Sequence, residues 1–267
     1  MWPALQQDVR NRGRLPESNE GQSRAVRPDG RAHVYARSPS LDVQILSNLE
    51  DTPAPQPPNF RPGLPLYPYQ LRSLGWMLSR EQDDGDGASA GLTLRAGEAE
   101  TLRGGILADA MGFGKTTITL ALMDHNRCCE SPQYSGRLLA SRATLIIVPP
   151  NLWHQWAQEI EKFFPRGSLR VIAAADAGRL MACSPEDVQR ADVVIVSYRV
   201  FSGPAYTKGR RLKHFYWHRI VADEFHELVA AAVDTNHPFN EAKHQLCELE
   251  SRSRWGLTST PPLKTLA

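Results

Sequence analysis

The chain has 267 residues with 41% hydrophobic content, enough for one large or two modest domains with a real core, and its formal charge of +2 confines any nucleic-acid surface to a local patch. The four cysteines, Cys128, Cys129, Cys183 and Cys247, show no C-x-x-C spacing, which argues against a metal site or a disulfide scaffold. No apolar run approaches a membrane span or the core of a signal peptide, so the sequence predicts a soluble intracellular protein without a membrane partner.

Residues 1–63 carry many arginines and no lysine, and the chain up to Pro68 holds more than half of its prolines. Pro53-Ala54-Pro55-Gln56-Pro57-Pro58 favours polyproline II and cannot enter a sheet ladder. With only 43–49 offering an apolar cluster, this arm is expected to be disordered, because it cannot offset the entropy of ordering. An arginine-bearing arm that touches phosphate or a partner is the alternative.

Order is expected from Leu64 onward, in a domain spanning 64–267. Pro68 opens a helical stripe through Leu71, Leu74, Trp76-Met77 and Leu78. Residues 81–103 read as an acidic, glycine-rich surface loop. Ile106-Leu107-Ala108 reads as a buried strand. After it come Asp109-Ala110-Met111-Gly112-Phe113-Gly114 and then Lys115-Thr116-Thr117, which opens a helix. A strand, a glycine turn and a helix N-terminus make a phosphate cradle: backbone N–H groups point at the anion and the helix dipole adds to the attraction. Gly112, Phe113, Gly114, Lys115, Thr116 and Thr117 are therefore the candidate nucleotide-binding residues. Lys115 is placed to reach the β- and γ-phosphates, and the Thr116 hydroxyl to complete a Mg²⁺ shell. The strict P-loop pattern wants a further glycine where Asp109 stands, so a plain glycine turn before a lysine is the alternative.

Residues 143–148 form a continuous β-branched and aliphatic run, as a strand covered on both faces should. Pro149-Pro150 ends it, and Asn151 is the expected cap of a helix carrying Leu152, Trp153, Trp156, Ile160 and Phe163-Phe164. Further strands are expected at 169–174, 192–197, 219–222 and 254–258, with helix starts at Ser184 and a helix near 241–251. Alternating strands and helices predict an α/β fold with a mostly parallel sheet covered on both faces. Ligands in such sheets sit at the carboxyl ends of the strands. Asp223-Glu224 follows the 219–222 strand there: Asp223 would hold Mg²⁺ through water, and Glu224 would orient or deprotonate the attacking water. An acid-rich helix start is the alternative.

The order of these motifs resembles the first motor lobe of superfamily-two helicases, and specifically the Snf-two-like ATPases that move on double-stranded DNA. The matching pieces are Pro68-Tyr69-Gln70 with Trp76-Met77, Gly105 to Asp109 with Gly112 and Gly114-Lys115-Thr116, and Ile147-Val148-Pro149-Pro150 with Gln155-Trp156 and Glu159-Ile160. Asp192 to Ile195, Asp223-Glu224 with His226, and Arg254-Trp255 with Leu257-Thr258 and Thr260-Pro261 complete the series. The resemblance covers about three quarters of the chain. It implies a three-layer RecA-like P-loop lobe that uses ATP and Mg²⁺, with Lys115, Asp223 and Glu224 as catalytic residues. Gln70 would read the adenine edge, Thr116 and Asp223 would hold the metal, and His226, Thr258 and Thr260 would relay nucleotide state. Pro149-Pro150 and the following helix start would lie along one DNA strand, with backbone N–H groups of that helix start on phosphate. A nuclear location, a double-stranded DNA partner and chromatin proteins are implied as well. A non-catalytic nucleotide- or DNA-binding remnant and an RNA helicase lobe are the alternatives.

Departures from the family pattern are Ala110 in place of Glu, Phe225 in place of a small Ala, and Ser259 in place of Gly, where a left-handed backbone would cost serine on the order of 1 kcal/mol. The basic run Lys208, Arg210, Arg211 and Lys213 reads as a solvated loop or a phosphate contact. The chain stops at Ala267, whereas the family continues into a second lobe that supplies arginines to the ATP site. That lobe is expected in cis or in trans, with little turnover without it.

Overall fold

The apolar runs pair into one seven-stranded sheet. The computed structural model describes residues 47–82, 103–128, 134–135, 137–202, 206, 211–233 and 239–261. Its strands are β1 (Gly104–Leu107), β2 (Tyr134–Ser135), β3 (Leu138–Val148), β4 (Val171–Ala174), β5 (Val193–Ser197), β6 (Phe215–Ala222) and β7 (Glu250–Leu257). They lie in the order β1-β7-β6-β3-β5-β4, with β2 against the start of β3. Every pairing is parallel except the short β2–β3 hairpin.

Parallel strands need crossovers, and the helices supply them on both faces. They are α1 (Pro68–Glu81), α2 (Lys115–His125), α3 (Trp153–Phe163), α4 (Ala177–Ala182), α5 (Pro185–Arg190), α6 (Arg199–Ser202), α7 (Phe225–Val233) and α8 (Asn240–Cys247), with a 3₁₀ turn at Arg211–His214. Side chains alternate along each strand, so Ile146 and Val148 join the core under α1, α2 and α3. Leu145 and Ile147 join the opposite core, under the helices from α4 to α8. The expected three-layer α/β lobe is therefore observed.

Several boundaries differ from expectation. Residues 1–46 lie outside the described residues, but packed chain begins by Asn48, whose Nδ2 donates to Tyr69 O and Ser73 Oγ, rather than at Leu64. Ala54 N–H donates to Leu71 O at 2.8 Å. Gln56 exchanges two hydrogen bonds with the Leu66 backbone, and Phe60 packs 4.9 Å from Phe163 and 5.1 Å from Phe164. The prolines do exclude this strap from helix and sheet. Its polar backbone is met instead by side chains and helix ends, as a buried backbone requires.

The expected loop 81–103 also needs correction at its start, its remainder from 83 to 102 lying outside the described residues. Glu81 closes α1 and is 1% exposed, accepting from Arg219 Nε at 2.6 Å, Trp255 Nε1 at 2.8 Å and Asn126 Nδ2 at 2.7 Å. Burial raises its pKa, but the Arg219 charge and these hydrogen bonds outweigh burial and hold the carboxyl below its ordinary value. Helix α3 is preceded by Leu152 with no side-chain cap, so Asn151 does not play the expected part. The Ser184 cap is present, its hydroxyl accepting from Asp187 N–H at 3.0 Å.

Candidate functional site

Parallel pairing brings three strand ends level. Leu107 of β1 faces Leu257 of β7, and Ala222 of β6 faces Gly256. The loop after β1, the acids after β6 and Thr258 after β7 thus meet at one edge.

The loop depends on its glycines. Gly112 and Gly114 have φ of 85° and 82°, a left-handed conformation that costs other residues 1–2 kcal/mol or so. At Gly114 a Cβ would also stand 2.3 Å from Gln70 Nε2. The Gln70 amide is committed at both ends: Oε1 accepts from Tyr67 N–H at 2.9 Å, and Nε2 donates to Phe113 O at 3.2 Å. Gln70 therefore closes the start of α1 and holds the loop. Phe113 is half exposed and lies edge-on to Tyr69, which stacks on Tyr67.

Gly114 leads directly into α2, with Thr116 and Thr117 half-buried in its first turn. Lys115 Nζ donates to Asp109 O at 2.8 Å and to Ala110 O at 3.2 Å, so the ammonium is folded onto its own loop. Asp109 is half-buried, and its Oδ2 has no hydrogen-bond partner. Burial raises its pKa against the Lys115 charge and a Ser73 hydrogen bond.

Asp223 is anchored on every polar atom. Its N–H donates to Ile147 O at 2.9 Å, and its carbonyl accepts from the Tyr198 hydroxyl. Oδ1 accepts from Glu224 N–H at 2.9 Å, and Oδ2 accepts from Trp156 Nε1 at 2.8 Å. Burial raises its pKa, partly offset by these hydrogen bonds and by the Lys115 and His226 charges.

Glu224 has φ of 47°, the one positive φ outside glycine among the described residues. Its Oε2 has no hydrogen-bond partner and lies 3.3 Å from His226 Nδ1. Burial and the Asp223 charge raise its pKa, against the His226 and Lys115 charges.

His226 Nδ1 shares a 3.0 Å hydrogen bond with Thr258 Oγ1, which accepts from Thr260 N–H at 3.1 Å. Thr258 N–H in turn donates to Leu107 O at 3.1 Å. His226, Thr258 and Thr260 are thus gathered beside the acids. Pro149 is buried and Pro150 half-buried; they turn from β3 into α3, with Leu152 N–H on Pro149 O at 3.0 Å.

The departures at 225 and 259 are accommodated. Ser259 does not have a positive φ, so the expected glycine cost is absent. Phe225 lies against Gly256 of β7, which has no side chain to displace it. The basic run is partly tied down rather than solvated: Arg211 donates to Met181 O at 3.0 Å and to Cys183 O, and Lys213 pairs with Glu248. Lys208 and Arg210 lie outside the described residues.

These residues fit an anion and a hard cation. The helix N-terminus, Lys115 and two left-handed glycines suit phosphate. Thr116 and Asp223 are a sparse oxygen set of the kind Mg²⁺ accepts while keeping several waters. Glu224 Oε2 is buried without a hydrogen bond and faces His226 Nδ1 at 3.3 Å, so the carboxylate stands beside the acids' strand end with an acceptor not yet satisfied. Sequence reasoning placed Trp156 on the α3 stripe and among the family motifs without a role in the site, and it did not single out Tyr198. The available signal was the buried indole N–H and phenol, each of which needs a hydrogen-bond partner.

A family profile described as the SNF2-related domain matches residues 69–266. DNA repair protein RAD5 of Candida albicans is 34% identical over 183 residues, covering 62% of this chain and 16% of that protein. DNA repair protein rad8 of Schizosaccharomyces pombe is 27% identical over 317 residues, covering 97% and 26%. The Sulfolobus solfataricus SWI2/SNF2 ATPase core in complex with dsDNA superimposes with a TM-score of 0.50 at 25% identity, covering 77% of this chain and 34% of that one. The chain thus spans about a quarter or less of the length of these two repair proteins.

Proposed function

Because this chain belongs to the SNF2-related domain family, we propose that it is the ATP-binding motor lobe of a DNA-dependent ATPase that moves on double-stranded DNA. The proposed setting is chromatin remodelling or DNA repair in the nucleus, with a second lobe, in cis or in trans, completing the site. The observation that carries this reading is the meeting of the Gly112–Thr117 cradle with Asp223 and Glu224 at strand ends on either side of β7.

In this reading Lys115 leaves the Asp109 and Ala110 carbonyls for the β- and γ-phosphates. Thr116 and Asp223 hold Mg²⁺, whose charge neutralises the phosphates. Glu224 aligns a water through its carboxylate, with His226 beside Oε2. Its raised pKa keeps the carboxyl closer to a proton-accepting range than that of an exposed glutamate. Gln70, Phe113 and Thr117 complete the nucleotide contacts. His226, Thr258 and Thr260 pass the state of Glu224 along the strand ends, and Pro149-Pro150 with the start of α3 lies along one DNA strand.

Calorimetry with ATP and Mg²⁺ on wild type and Lys115→Ala tests the cradle: equal affinity in both would remove it from the site. A non-catalytic nucleotide-binding module is the second reading, favoured by the engagement of Lys115 and Gln70 with the loop itself. Phosphate release with saturating double-stranded DNA, with and without a supplied second lobe, separates the two. Release that a second lobe and DNA stimulate, and that Glu224→Gln abolishes, supports the motor. Binding without any release supports the module.

A further inference from the structure

The Asp223 carboxylate is held by a residue from a different layer of the fold. Trp156 stands in α3, on the helical face that packs with Ile160 and Phe163 into the core, and is 1% exposed. Its indole N–H leaves that apolar cluster to donate to Asp223 Oδ2 at 2.8 Å across 67 positions of sequence. A tryptophan that only filled space could turn its N–H toward any buried acceptor. Here the acceptor is the carboxylate that closes β6. The opposite oxygen is fixed by Glu224 N–H at 2.9 Å, so the carboxyl plane has a donor at each side.

We propose that Trp156 is a positioning residue for the Mg²⁺-holding carboxylate: the indole N–H sets the plane of Asp223, so that its remaining lone pairs face the cradle and accept from metal-bound water. This rests on the reading of Asp223 given under Proposed function. A charge-assisted N–H bond is about twice as strong as a neutral one, and a carboxylate so fixed loses little freedom on taking up the cation. The same bond ties the site to α3, whose first turn follows Pro149-Pro150. A shift of α3 therefore reaches the carboxylate through a single side chain.

The test is ATP binding by the full chain as a function of Mg²⁺, followed by calorimetry, with the same measurement in EDTA. Trp156→Phe keeps the ring and deletes the N–H. The Mg²⁺ concentration for half-maximal effect should rise ~10-fold, the lower range for removing a partner that orients a metal-holding group. ATP affinity in EDTA should not change. In an Asp223→Asn background the Trp156→Phe change should add nothing to the Mg²⁺ dependence. A further readout needs no variant: the Trp156 indole N–H resonance of the wild-type chain should move when Mg²⁺ is added to the ATP-loaded protein.

An unchanged Mg²⁺ dependence in Trp156→Phe overturns the proposal. Should that variant not fold, an indole resonance indifferent to Mg²⁺ overturns it instead. If wild type binds ATP equally well in Mg²⁺ and in EDTA, the reading of Asp223 itself fails, and this inference falls with it.

Discussion

Phe225 rests on Gly256: a Cβ built at position 256 would stand 2.8 Å from Phe225 Cγ and 3.1 Å from its Cδ1. The phenylalanine that follows Asp223-Glu224 thus occupies room left by a glycine of the neighbouring strand β7. Gly256→Ala should destabilise the fold by about 1–3 kcal/mol, the usual range for overpacking. Phe225→Ala should remove most of that penalty when combined with it. Urea denaturation of the two single variants and the double variant measures the coupling, and strictly additive costs would contradict the contact.

The parts that sequence conveys well are those governed by local rules. The β-branched run 192–197 became β5 almost to the residue, and 143–148 became the buried end of β3, which begins earlier at Leu138, because a run buried on both faces leaves no other use for those side chains. The cradle and the Asp223-Glu224 pair were legible because glycine turns and paired acids have a fixed spacing. Long-range partners were not legible. Nothing around Glu81 signals that Arg219 lies 138 positions away in the same buried pocket, and its acidic, glycine-rich neighbours suggested a loop.

Glu81→Ala should therefore be among the most damaging single substitutions. It leaves Arg219, 1% exposed, as a buried charge without its carboxylate, which costs about 3–5 kcal/mol. It also removes acceptors from Trp255 and Asn126. Thermal unfolding checks this, and a variant within a degree or two of wild type would show that the pair contributes little.

The proline-rich strap misled for the opposite reason: composition argued for disorder, while specific contacts order it. Asn59 gives Asp124 two hydrogen bonds, from N–H at 2.8 Å and Nδ2 at 3.0 Å. Arg61 reaches Phe164 O through Nε at 2.9 Å. Limited proteolysis should leave a core that starts near residue 47, not near 64. Asn59→Ala should cost roughly 1–3 kcal/mol, because Asp124 is buried and keeps only part of its partners.

His218 predicts an acid sensitivity. It is 7% exposed, and its Nε2–H donates to Asn126 O at 3.1 Å. Burial, reinforced by the Arg219 and Arg252 charges against the opposing Asn126 bond and Glu81, lowers its pKa from 6.5 to about 4. The unfolded chain then takes up a proton near pH 6.5 that the folded chain refuses until about pH 4. Stability should fall as pH drops through that window, by up to ~3 kcal/mol. The raised carboxyls Asp109, Asp223 and Glu224 act in the opposite sense, so the quantity to measure is the difference between wild type and His218→Gln. That difference should grow with acidification, and a constant offset between the two curves would contradict the assignment.

Glu224 carries both the proposed water-aligning carboxylate and a backbone φ of 47°. Its proposed role rests on its place after β6; its conformation was not legible, because nothing in the residue type calls for a left-handed turn. Such strain in a non-glycine residue costs about 1–2 kcal/mol, and glycine gives back roughly 0.5–1 kcal/mol through the entropy of the unfolded chain. Glu224→Gly should thus be more stable than wild type by about 0.5–1 kcal/mol on the backbone account alone. Glu224→Gln separates the causes, since it removes the repulsion from Asp223 but keeps the strained backbone. The stability order should be Gly above Gln, with both variants losing any phosphate release that the chain supports with a second lobe. Denaturation curves settle the order. A Glu224→Gly protein less stable than Glu224→Gln would mean that the left-handed turn carries no strain, and that Glu224 holds its position for reasons of the fold and not of the site.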